Sequence, residues 1–439
     1  MPLPKEGNRV GILFAHWGSR RHTVSWILNS SAAPAGPFPA PLRAIIGRAA
    51  HRDARAEITS WPGYEPTPLR NQWRLAEELR VGSVWVKDES GRFGLGSFKA
   101  LGGAYGVREV MRERSGEAGR PTVACASDGN HGRAVAWGAM RFGCGAVIYL
   151  PAHVTEARAS AIRSFGARVV RVDGEYDDAV ARADRDAREN GWTVISDTSY
   201  PGYMDIPRVV MVGYTVMVSE VLGDVSPSLP THTHPSVMTL HPTGKATASA
   251  IPPSTSEASS RVTPPTHVFI QGGVGGLAAA VIGHFWKRLG ARRPVVVIVE
   301  PEEADGLLCS ARAGRPVASG GNLDTVMAGL SCREVSPLAW EVVGAGAHAF
   351  MTVPEEGIAP LMRRAARGTM GEAFEGGESG VAGLLGLIEV ARDEERRREI
   401  GLDERSRVLV FNTEGATDPE LYGRIVGGGD SFRGDSRHR

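Results

Sequence analysis

The chain has 439 residues, with 50 Lys and Arg against 49 Asp and Glu, so its formal net charge is only +1. This balance gives no electrostatic reason to expect nucleic acid or an anionic membrane as a partner, and no run reaches the roughly 18–20 apolar residues that span a bilayer. The four cysteines are widely spaced without a CxxC pair, which favours a reducing compartment such as the cytoplasm and predicts neither a disulfide framework nor a metal site.

The first 55 residues differ in composition from the rest of the chain. Up to Arg52 they hold one acidic residue, Glu6, against seven Lys and Arg, and they are rich in Pro, Ala and Ser. This composition predicts a disordered arm over residues 1–55. An organelle-targeting peptide is the alternative, because such peptides are rich in Arg and Ser and poor in acidic residues.

After this arm, short apolar runs alternate with segments of helical spacing. The runs 83–88, 122–127 and 145–151 have the pattern of strands, and 156–166 has that of a helix that begins at a Thr155 cap. Further strands and helices follow to the end of the chain in the same alternation. Apolar strands separated by helices are typical of parallel β-α-β units that are covered on both faces.

The alternation therefore predicts an α/β fold with two domains, each an open parallel sheet flanked by helices. We place the large domain at 56–102 and 200–425, and the small domain at 103–199. The last residues, 426–439, are predicted to be a flexible tail.

The first unusual stretch is "GLGSFKALGGAYG", residues 94–106, which places Lys99 among five glycines and before an apolar helical run. Lysine is usually a solvated surface residue. Lys99 is therefore either an ordinary surface side chain or a nucleophile that is held in a cleft.

A polar turn, "ASDGNHG", follows the predicted strand at 122–127. Its backbone amides and the side chains of Ser127, Asn130 and His131 can hold a carboxylate at a helix N-terminus. An ordinary glycine-containing turn between a strand and a helix is the alternative.

The segment 224–266 is dense in Pro, Ser and Thr and has no strand or helix period. It is predicted to be a disordered surface insertion. Its histidines, His232, His234 and His241, are poor metal-ligand candidates because no Asp, Glu or Cys accompanies them at ligand spacing.

Two more polar motifs follow predicted strands after the insertion. "QGGVGG" at 271–276 favours a phosphate, because its glycines let the backbone approach an anion at a helix N-terminus. It lacks the GxGxxG spacing and the acidic residue about twenty positions on, so one phosphate fits better than a dinucleotide. In "FNTEGATDP" at 411–419, the Thr413 hydroxyl is placed to face a ligand atom, and the alternative is a plain turn.

The combination of these motifs is more specific than any one of them. A lysine amine beside a phosphate loop and a carboxylate-binding turn suits a pyridoxal 5'-phosphate Schiff base. The phosphate would lie on 272–276, the aldehyde on Lys99, and the carboxylate of an amino acid on 127–131.

The stretches "SFKALGGAY", "ASDGNHGRAVAWGA", "QGGVGG", "MAGLSC", "ESGVAG" and "NTEGATDPE" together resemble the diaminopropionate ammonia-lyases, a family of fold-type-II pyridoxal phosphate enzymes. The resemblance covers about 60–223 and 266–425. The wider group of serine and threonine dehydratases and tryptophan synthase β shares the lysine motif and the glycine loop. The aspartate in "SDGNHG" and the last two stretches favour the lyase.

The resemblance implies a cofactor role for several residues. Lys99 would be the Schiff-base lysine, and Asn130 would bond the phenolic oxygen of the cofactor. Thr413 would lie near the pyridine nitrogen and, as a neutral hydroxyl, would leave it unprotonated. The main-chain amides that hold the phosphate would be those of Gly272, Gly273, Val274, Gly275 and Gly276.

The resemblance also implies roles at the substrate. Asp128 and Asp197 match aspartates that the family uses there, although a turn or helix cap is the alternative for Asp197. Lys99 and Asp128 would be bases on opposite faces of the cofactor, and either aspartate would hold the departing β-amine. Ser127, Asp128 and His131 would bind the substrate.

The family eliminates ammonia from both enantiomers of 2,3-diaminopropionate and produces pyruvate and ammonia. We therefore expect a small amino acid as the substrate and, from the family, a homodimer, with neither nucleic acid nor membrane as a partner. Two alternatives remain at this stage. One is a serine/threonine-type dehydratase or another β-eliminating or β-replacing enzyme with the same cofactor, and the other is a catalytically silent binding protein of this fold.

Overall fold

The structure is a computed structural model that describes residues 24–116, 120–127, 129–223 and 263–428. Most of the predicted insertion at 224–266, including His232, His234 and His241, lies outside these ranges. Most of the predicted tail at 426–439 also lies outside them. Within these ranges, no helix has the length and apolar content that crossing a membrane requires. Nor do the described side chains of His, Cys, Asp and Glu come together in groups of three or more that suit a metal ion.

Strands and helices alternate along the described chain, as the apolar runs predict. The strands are β1 (Trp26–Leu28), β2 (Leu69–Asn71), β3 (Ser83–Asp88), β4 (Thr122–Ala126), β5 (Gly145–Pro151), β6 (Arg168–Val172), β7 (Thr193–Val194), β8 (His267–Gln271), β9 (Val295–Pro301), β10 (Ala349–Val353) and β11 (Arg407–Asn412).

Helices cover both faces of the sheets. They are α1 (Arg48–Thr59), α2 (Trp73–Glu78), α3 (Lys99–Glu113), α4 (Asn130–Phe142), α5 (Glu156–Arg163), α6 (Tyr176–Asn190), α7 (Asp205–Val221), α8 (Gly276–Leu289), α9 (Gly306–Ala313), α10 (Pro337–Gly346), α11 (Ile358–Ala366), α12 (Ala382–Ala391), α13 (Glu394–Ile400) and α14 (Pro419–Val426). Short 3-10 helices are Pro41–Ala44, Glu89–Gly94, Gly290–Arg292, Ala328–Leu330 and Glu355–Gly357.

The strands form two sheets. The larger has the order β1-β10-β9-β8-β11-β3-β2 and is parallel except for its two edge strands. The smaller has the order β6-β5-β4-β7 and is parallel throughout. The α/β fold class predicted from the sequence is thereby confirmed. The strands of the smaller sheet span 122–194, and the domain boundary that we predicted at 102/103 falls within α3.

Strand β8 illustrates how the larger sheet is buried on both faces. All five of its residues are buried. Val268 and Ile270 pack into the core shared with α7 and α8, whereas Phe269 packs into the opposite core with α12. This alternation is the period of two that a strand imposes, and with apolar residues on both faces it produces the continuous apolar run seen in the sequence.

The prediction of a disordered arm over residues 1–55 is wrong for residues 24–55, which are folded onto the larger sheet and the main core. Strand β1 pairs antiparallel with β10 at the edge of the larger sheet, and α1 begins at Arg48. Phe38 and Ile46 are buried in the main core. The average composition of the segment concealed these apolar side chains, whose burial offsets the entropy of ordering the chain.

The predicted helix start at Thr155 is confirmed. Thr155 caps α5, because its hydroxyl accepts a hydrogen bond from the Arg158 amide at 3.4 Å. Helix α4 ends at Gly143, which has the left-handed φ of 76° that suits a glycine. In the same helix Val135 is buried, whereas Met140 is 51% exposed.

Helices α3 and α4 pack with their backbones in near contact. A Cβ added to Gly103 of α3 would lie 2.9 Å from the Cβ of Ala134, and one added to Gly138 of α4 would lie 2.8 Å from the Cα of Ala104. Such distances leave no room for larger side chains, so these glycines set the spacing of the two helices.

A buried charge network fixes the segment that leads from β3 to α3. Lys87 Nζ lies 2.5 Å from Glu220 Oε2, and both terminal nitrogens of Arg92 donate to Glu220 at 2.8 Å. Arg92 also pairs with Glu89 at 2.8 Å, and each of the four side chains is at most 1% exposed. Two positive and two negative groups thus compensate each other, and they tie the end of α7 to the residues before α3.

Candidate active site

One cavity collects all the described residues that the sequence analysis assigned to a site. It lies where the carboxyl ends of β4, β8 and β11 meet the first turn of α3. Parallel strands bring their carboxyl ends to one edge of a sheet, which is where such folds bind ligands. The predicted residues in its lining are Lys99, Ser127, Asn130, His131, Asp197, Gly272, Gly273, Val274, Gly275, Gly276 and Thr413. Asp128 lies outside the described residues.

Lys99 is the first residue of α3 and points into the cavity rather than into solvent. Its Nζ donates a hydrogen bond to Asp197 Oδ2 and lies 5.3 Å from the centre of the Phe98 ring. The backbone before it is held in place, because the Phe98 amide donates to the Thr413 carbonyl at 3.1 Å. The surface alternative for Lys99 is thereby excluded.

The electrostatics of Lys99 and Asp197 are those of a buried ion pair. Burial by itself lowers the pKa of the Lys99 amine, but the charge and the hydrogen bond of Asp197, with contributions from Tyr214 and Cys332, together hold that pKa above its ordinary value. Burial raises the pKa of Asp197, but the charge and the hydrogen bond of Lys99, with contributions from His131 and a backbone amide, together lower this pKa overall. The amine is therefore an ammonium that must lose a proton before it can attack an aldehyde.

The glycine loop between β8 and α8 has the backbone of an anion cradle. Gly273 and Gly275 adopt φ of 60° and 97°, which favour glycine. A Cβ on Gly272 would lie 2.5 Å from Glu300 Cγ, so the backbone must stay bare there. The loop leads into the N-terminus of the 14-residue helix α8, whose first amides and dipole favour a phosphate.

Ser127 organises the turn after β4. Its Oγ accepts hydrogen bonds from the amides of Gly129 at 3.0 Å and Gly132 at 2.9 Å. The hydroxyl thus closes the start of α4 and keeps its own proton for one further donation. This arrangement aims the first turn of α4 at the cavity.

His131 is a neutral imidazole with one free acceptor. Its Nε2 lies 3.1 Å from the Ile195 carbonyl, which can only accept, so Nε2 carries the proton. Nδ1 is buried and has no hydrogen-bond partner among the described residues. Burial lowers the pKa of His131, so the ring stays neutral and offers Nδ1 to a ligand donor.

Thr413 follows β11 at the far wall of the cavity. It is buried, and its hydroxyl lies 3.4 Å from Gln271 Nε2, whose other hydrogen bonds go to main-chain carbonyls. A neutral hydroxyl in this place fits a ring nitrogen that is not protonated.

Several residues of the cavity were not predicted as functional. Glu414 accepts hydrogen bonds from the Asn130 side chain and from the Ser379 amide, and it lines the cavity with Tyr214 and Arg158. The signal for Glu414 and Ser379 was present, because both lie in motifs that carry the resemblance. Only the fold shows that Glu414 contacts Asn130 and that Ser379 holds Glu414.

The residues present fit pyridoxal 5'-phosphate. A bare glycine loop at a helix N-terminus suits its phosphate, the Lys99 amine suits its aldehyde, and the Thr413 hydroxyl suits its ring nitrogen. The chain also matches, over residues 60–414, the family model described as "Pyridoxal-phosphate dependent enzyme". Fold and cavity together define a fold-type-II pyridoxal-phosphate-dependent enzyme, and its cofactor is pyridoxal 5'-phosphate.

Individual relatives define the family more narrowly. Diaminopropionate ammonia-lyase of Salmonella typhimurium is 32% identical over 395 residues, which cover 84% of this chain and 90% of that protein. The crystal structure of the Escherichia coli diaminopropionate ammonia-lyase with an aminoacrylate–pyridoxal phosphate azomethine intermediate is 31% identical, with a TM-score of 0.77 over 92% of this chain and 96% of that one. The chain belongs to the diaminopropionate ammonia-lyase family of carbon–nitrogen lyases, as the sequence motifs predict.

More distant structures share the architecture. The processed form of threonine deaminase isoform 2 from Solanum lycopersicum is 20% identical, with a TM-score of 0.66 over 92% of this chain and 98% of that one. At this identity the likeness shows the fold alone.

Proposed function

We propose that this chain eliminates ammonia from 2,3-diaminopropionate and releases pyruvate. The observation that carries the proposal is the buried Asp197 carboxylate, which contacts the Lys99 amine inside the cavity. The second amino group of such a substrate is an ammonium, and a carboxylate beside the reacting lysine is a counter-charge for it. The names of the relatives at 32–33% identity agree with this substrate.

The atoms of the reaction balance with one water. Diaminopropionate and water give pyruvate and two molecules of ammonia, one from each nitrogen. A hydroxyamino acid such as serine would give pyruvate and only one ammonia. The ratio of the two products therefore identifies the substrate class.

The bound cofactor supplies an electron sink that makes the Cα proton of an amino acid acidic. In our proposal Lys99 Nζ removes this proton from the face of the substrate that it occupies. Asp128, which lies outside the described residues, would serve the opposite face. Two bases on two faces would explain the use of both enantiomers, which we propose as part of the function.

Asp197 would act on the departing group. Its carboxylate would attract the β-ammonium group and hold it in position while its bond to Cβ breaks. The turn at 127–131 would hold the substrate carboxylate, because Ser127 and the first residues of α4 line the cavity and the Ser127 hydroxyl keeps a proton to donate. Asn130 would bond the phenolic oxygen of the cofactor.

A substrate panel tests the proposal. The holoenzyme is supplied in turn with D- and L-diaminopropionate, serine and threonine, and pyruvate, 2-oxobutyrate and ammonia are all counted. We expect diaminopropionate to be the best substrate, with two ammonia for each pyruvate. Much faster turnover of threonine would overturn the lyase in favour of a dehydratase.

We also propose that the enzyme is a homodimer, on the strength of the family resemblance. Size-exclusion chromatography with light scattering tests this directly. A mass of one chain at working concentrations would contradict it.

A further inference from the structure

We propose that Glu414 is a positioning residue that orients the side-chain amide of Asn130 toward the cofactor. The inference rests on the part of the proposed function that places Asn130 at the phenolic oxygen, and it is independent of the substrate. Asn130 Nδ2 donates a hydrogen bond to Glu414 Oε2. Glu414 is 4% exposed, follows Thr413 directly and lines the cavity.

The chemistry of the two side chains fixes which way the amide faces. The amide of Asn130 has two N–H donors on Nδ2 and an acceptor on Oδ1, and a carboxylate can only accept. Nδ2 must therefore face Glu414, and its second N–H remains for another acceptor. A flipped amide would bring Oδ1 against Glu414 and would lose this hydrogen bond to a charged group.

Glu414 is itself held rigidly. Its Oε1 accepts from the Ser379 amide at 3.0 Å, and its carbonyl accepts from the Gly377 amide at 2.8 Å. Ser379 Oγ in turn accepts from the Gly329 amide at 2.9 Å. The backbone of Glu414 also forms an isolated bridge with Ser97, two residues before Lys99. The acceptor for Asn130 is thus fixed relative to the reactive amine.

A second buried carboxyl group, that of Glu378, lies in the electrostatic field of Glu414. Glu378 is 2% exposed, and its Oε1 has no hydrogen-bond partner among the described residues. Burial and then the charge of Glu414 raise the pKa of Glu378 to about 7, Asp418 adds to this rise, and Arg158 opposes it.

The test is a double-mutant cycle on cofactor binding rather than on turnover. E414Q, N130A and the double variant are titrated with pyridoxal phosphate, and the dissociation constant and the visible band of the bound cofactor are recorded. Gln can donate as well as accept, so E414Q removes the preference for one amide orientation. Far-UV circular dichroism of each apoprotein checks folding.

We expect E414Q and N130A each to weaken cofactor binding about tenfold and to shift the visible band in the same way. Each variant loses the same charge-assisted hydrogen bond between Asn130 and Glu414. The double variant should be no weaker than N130A alone. E375Q is the matched control, because Glu375 accepts from the Ala416 amide in the same loop at 2.7 Å and should leave both readouts unchanged.

Two results would overturn the inference. One is an E414Q protein with wild-type affinity and spectrum, and the other is a double variant in which the two losses multiply. If E414Q does not fold, E414A, which removes the acceptor altogether, replaces it in the cycle, and wild-type affinity or losses that multiply with N130A would have the same meaning. Since pyridoxal phosphate is the only ligand used, failure of the lyase assignment would leave this result intact.

Discussion

The Lys99 amine and the Asp197 carboxylate are hydrogen-bonded to each other in the cavity, although 98 positions separate them in the sequence. Asp197 keeps the amine protonated, whereas attack on the aldehyde of pyridoxal phosphate requires a neutral amine. The same contact thus holds the lysine in place and restrains its reactivity until a proton leaves.

The first prediction concerns this contact. In D197N the charge that raises the pKa of Lys99 is absent and burial, which lowers that pKa, remains, so the amine should lose its proton at lower pH. The pH midpoint for attachment of pyridoxal phosphate, followed by its visible band, should move down by at least about one unit. D205N, whose side chain is 85% exposed, is the control and should not move it. An unchanged midpoint in D197N would contradict the role of Asp197.

The second prediction concerns the covalent link. K99A should lack the visible band that borohydride removes, because no amine remains to form the imine. K287A, at the far end of α8, should keep the band at wild-type strength. A borohydride-sensitive band in K99A, together with a modified peptide elsewhere by mass spectrometry, would exclude Lys99 as the attachment site.

The third prediction concerns the two enantiomers. If Asp128 and Lys99 serve opposite faces, D128N should lower turnover of D-diaminopropionate by roughly 100-fold, as expected for loss of a general base, and affect the L-enantiomer much less. Separate kcat/KM values for each enantiomer give the answer. Equal losses would argue against bases that are specific for a face.

The fourth prediction concerns stability. Glu220 compensates Lys87 and Arg92 in the buried network, so E220Q leaves buried positive charge without its partner. We expect the free energy of unfolding to fall by about 3–5 kcal/mol, measured by denaturant titration of the apoprotein. E394Q breaks the exposed pair with Arg80 and should cost no more than about 1 kcal/mol. Equal effects would show that the network is dispensable.

The fifth prediction follows from the raised pKa of Glu378. A carboxyl group whose folded pKa is about 7 and whose ordinary value is 4.5 binds more protons folded than unfolded between these values. Stability from this group is therefore fully present below about pH 4.5 and is lost as pH rises through about 7. E378Q should flatten this part of the curve of apoprotein stability against pH. An identical pH dependence in E378Q and wild type would contradict it.

Much of the site could be predicted from the sequence because its parts follow strands. The ends of β4, β8 and β11 carry the three polar motifs, and a parallel sheet gathers such ends at one edge. Lys99 was identified by its glycine-rich context. Each of these signals lies within a short stretch of sequence, so it can be recognised without knowledge of the tertiary contacts.

Contacts between distant segments could not be predicted. Asn130 and Glu414 are 284 positions apart, and nothing in either motif specifies that they meet. The folded structure of residues 24–55 could not be predicted either. Strand β1 in this segment pairs with the edge strand β10, which lies some 300 positions later in the sequence. In both cases the deciding interaction is tertiary, so composition and periodicity contain no record of it.

The close approach of α3 and α4 has a consequence for how this enzyme can change. Lys99 and Asn130 begin these helices, and Gly103 and Gly138 set the gap between them one or more turns away from the cavity. An added methyl group at either glycine would widen that gap and move the Lys99 amine away from the Asn130 amide. We therefore expect substitutions at these two glycines to change activity through the distance between the two helix starts, although neither glycine lines the cavity.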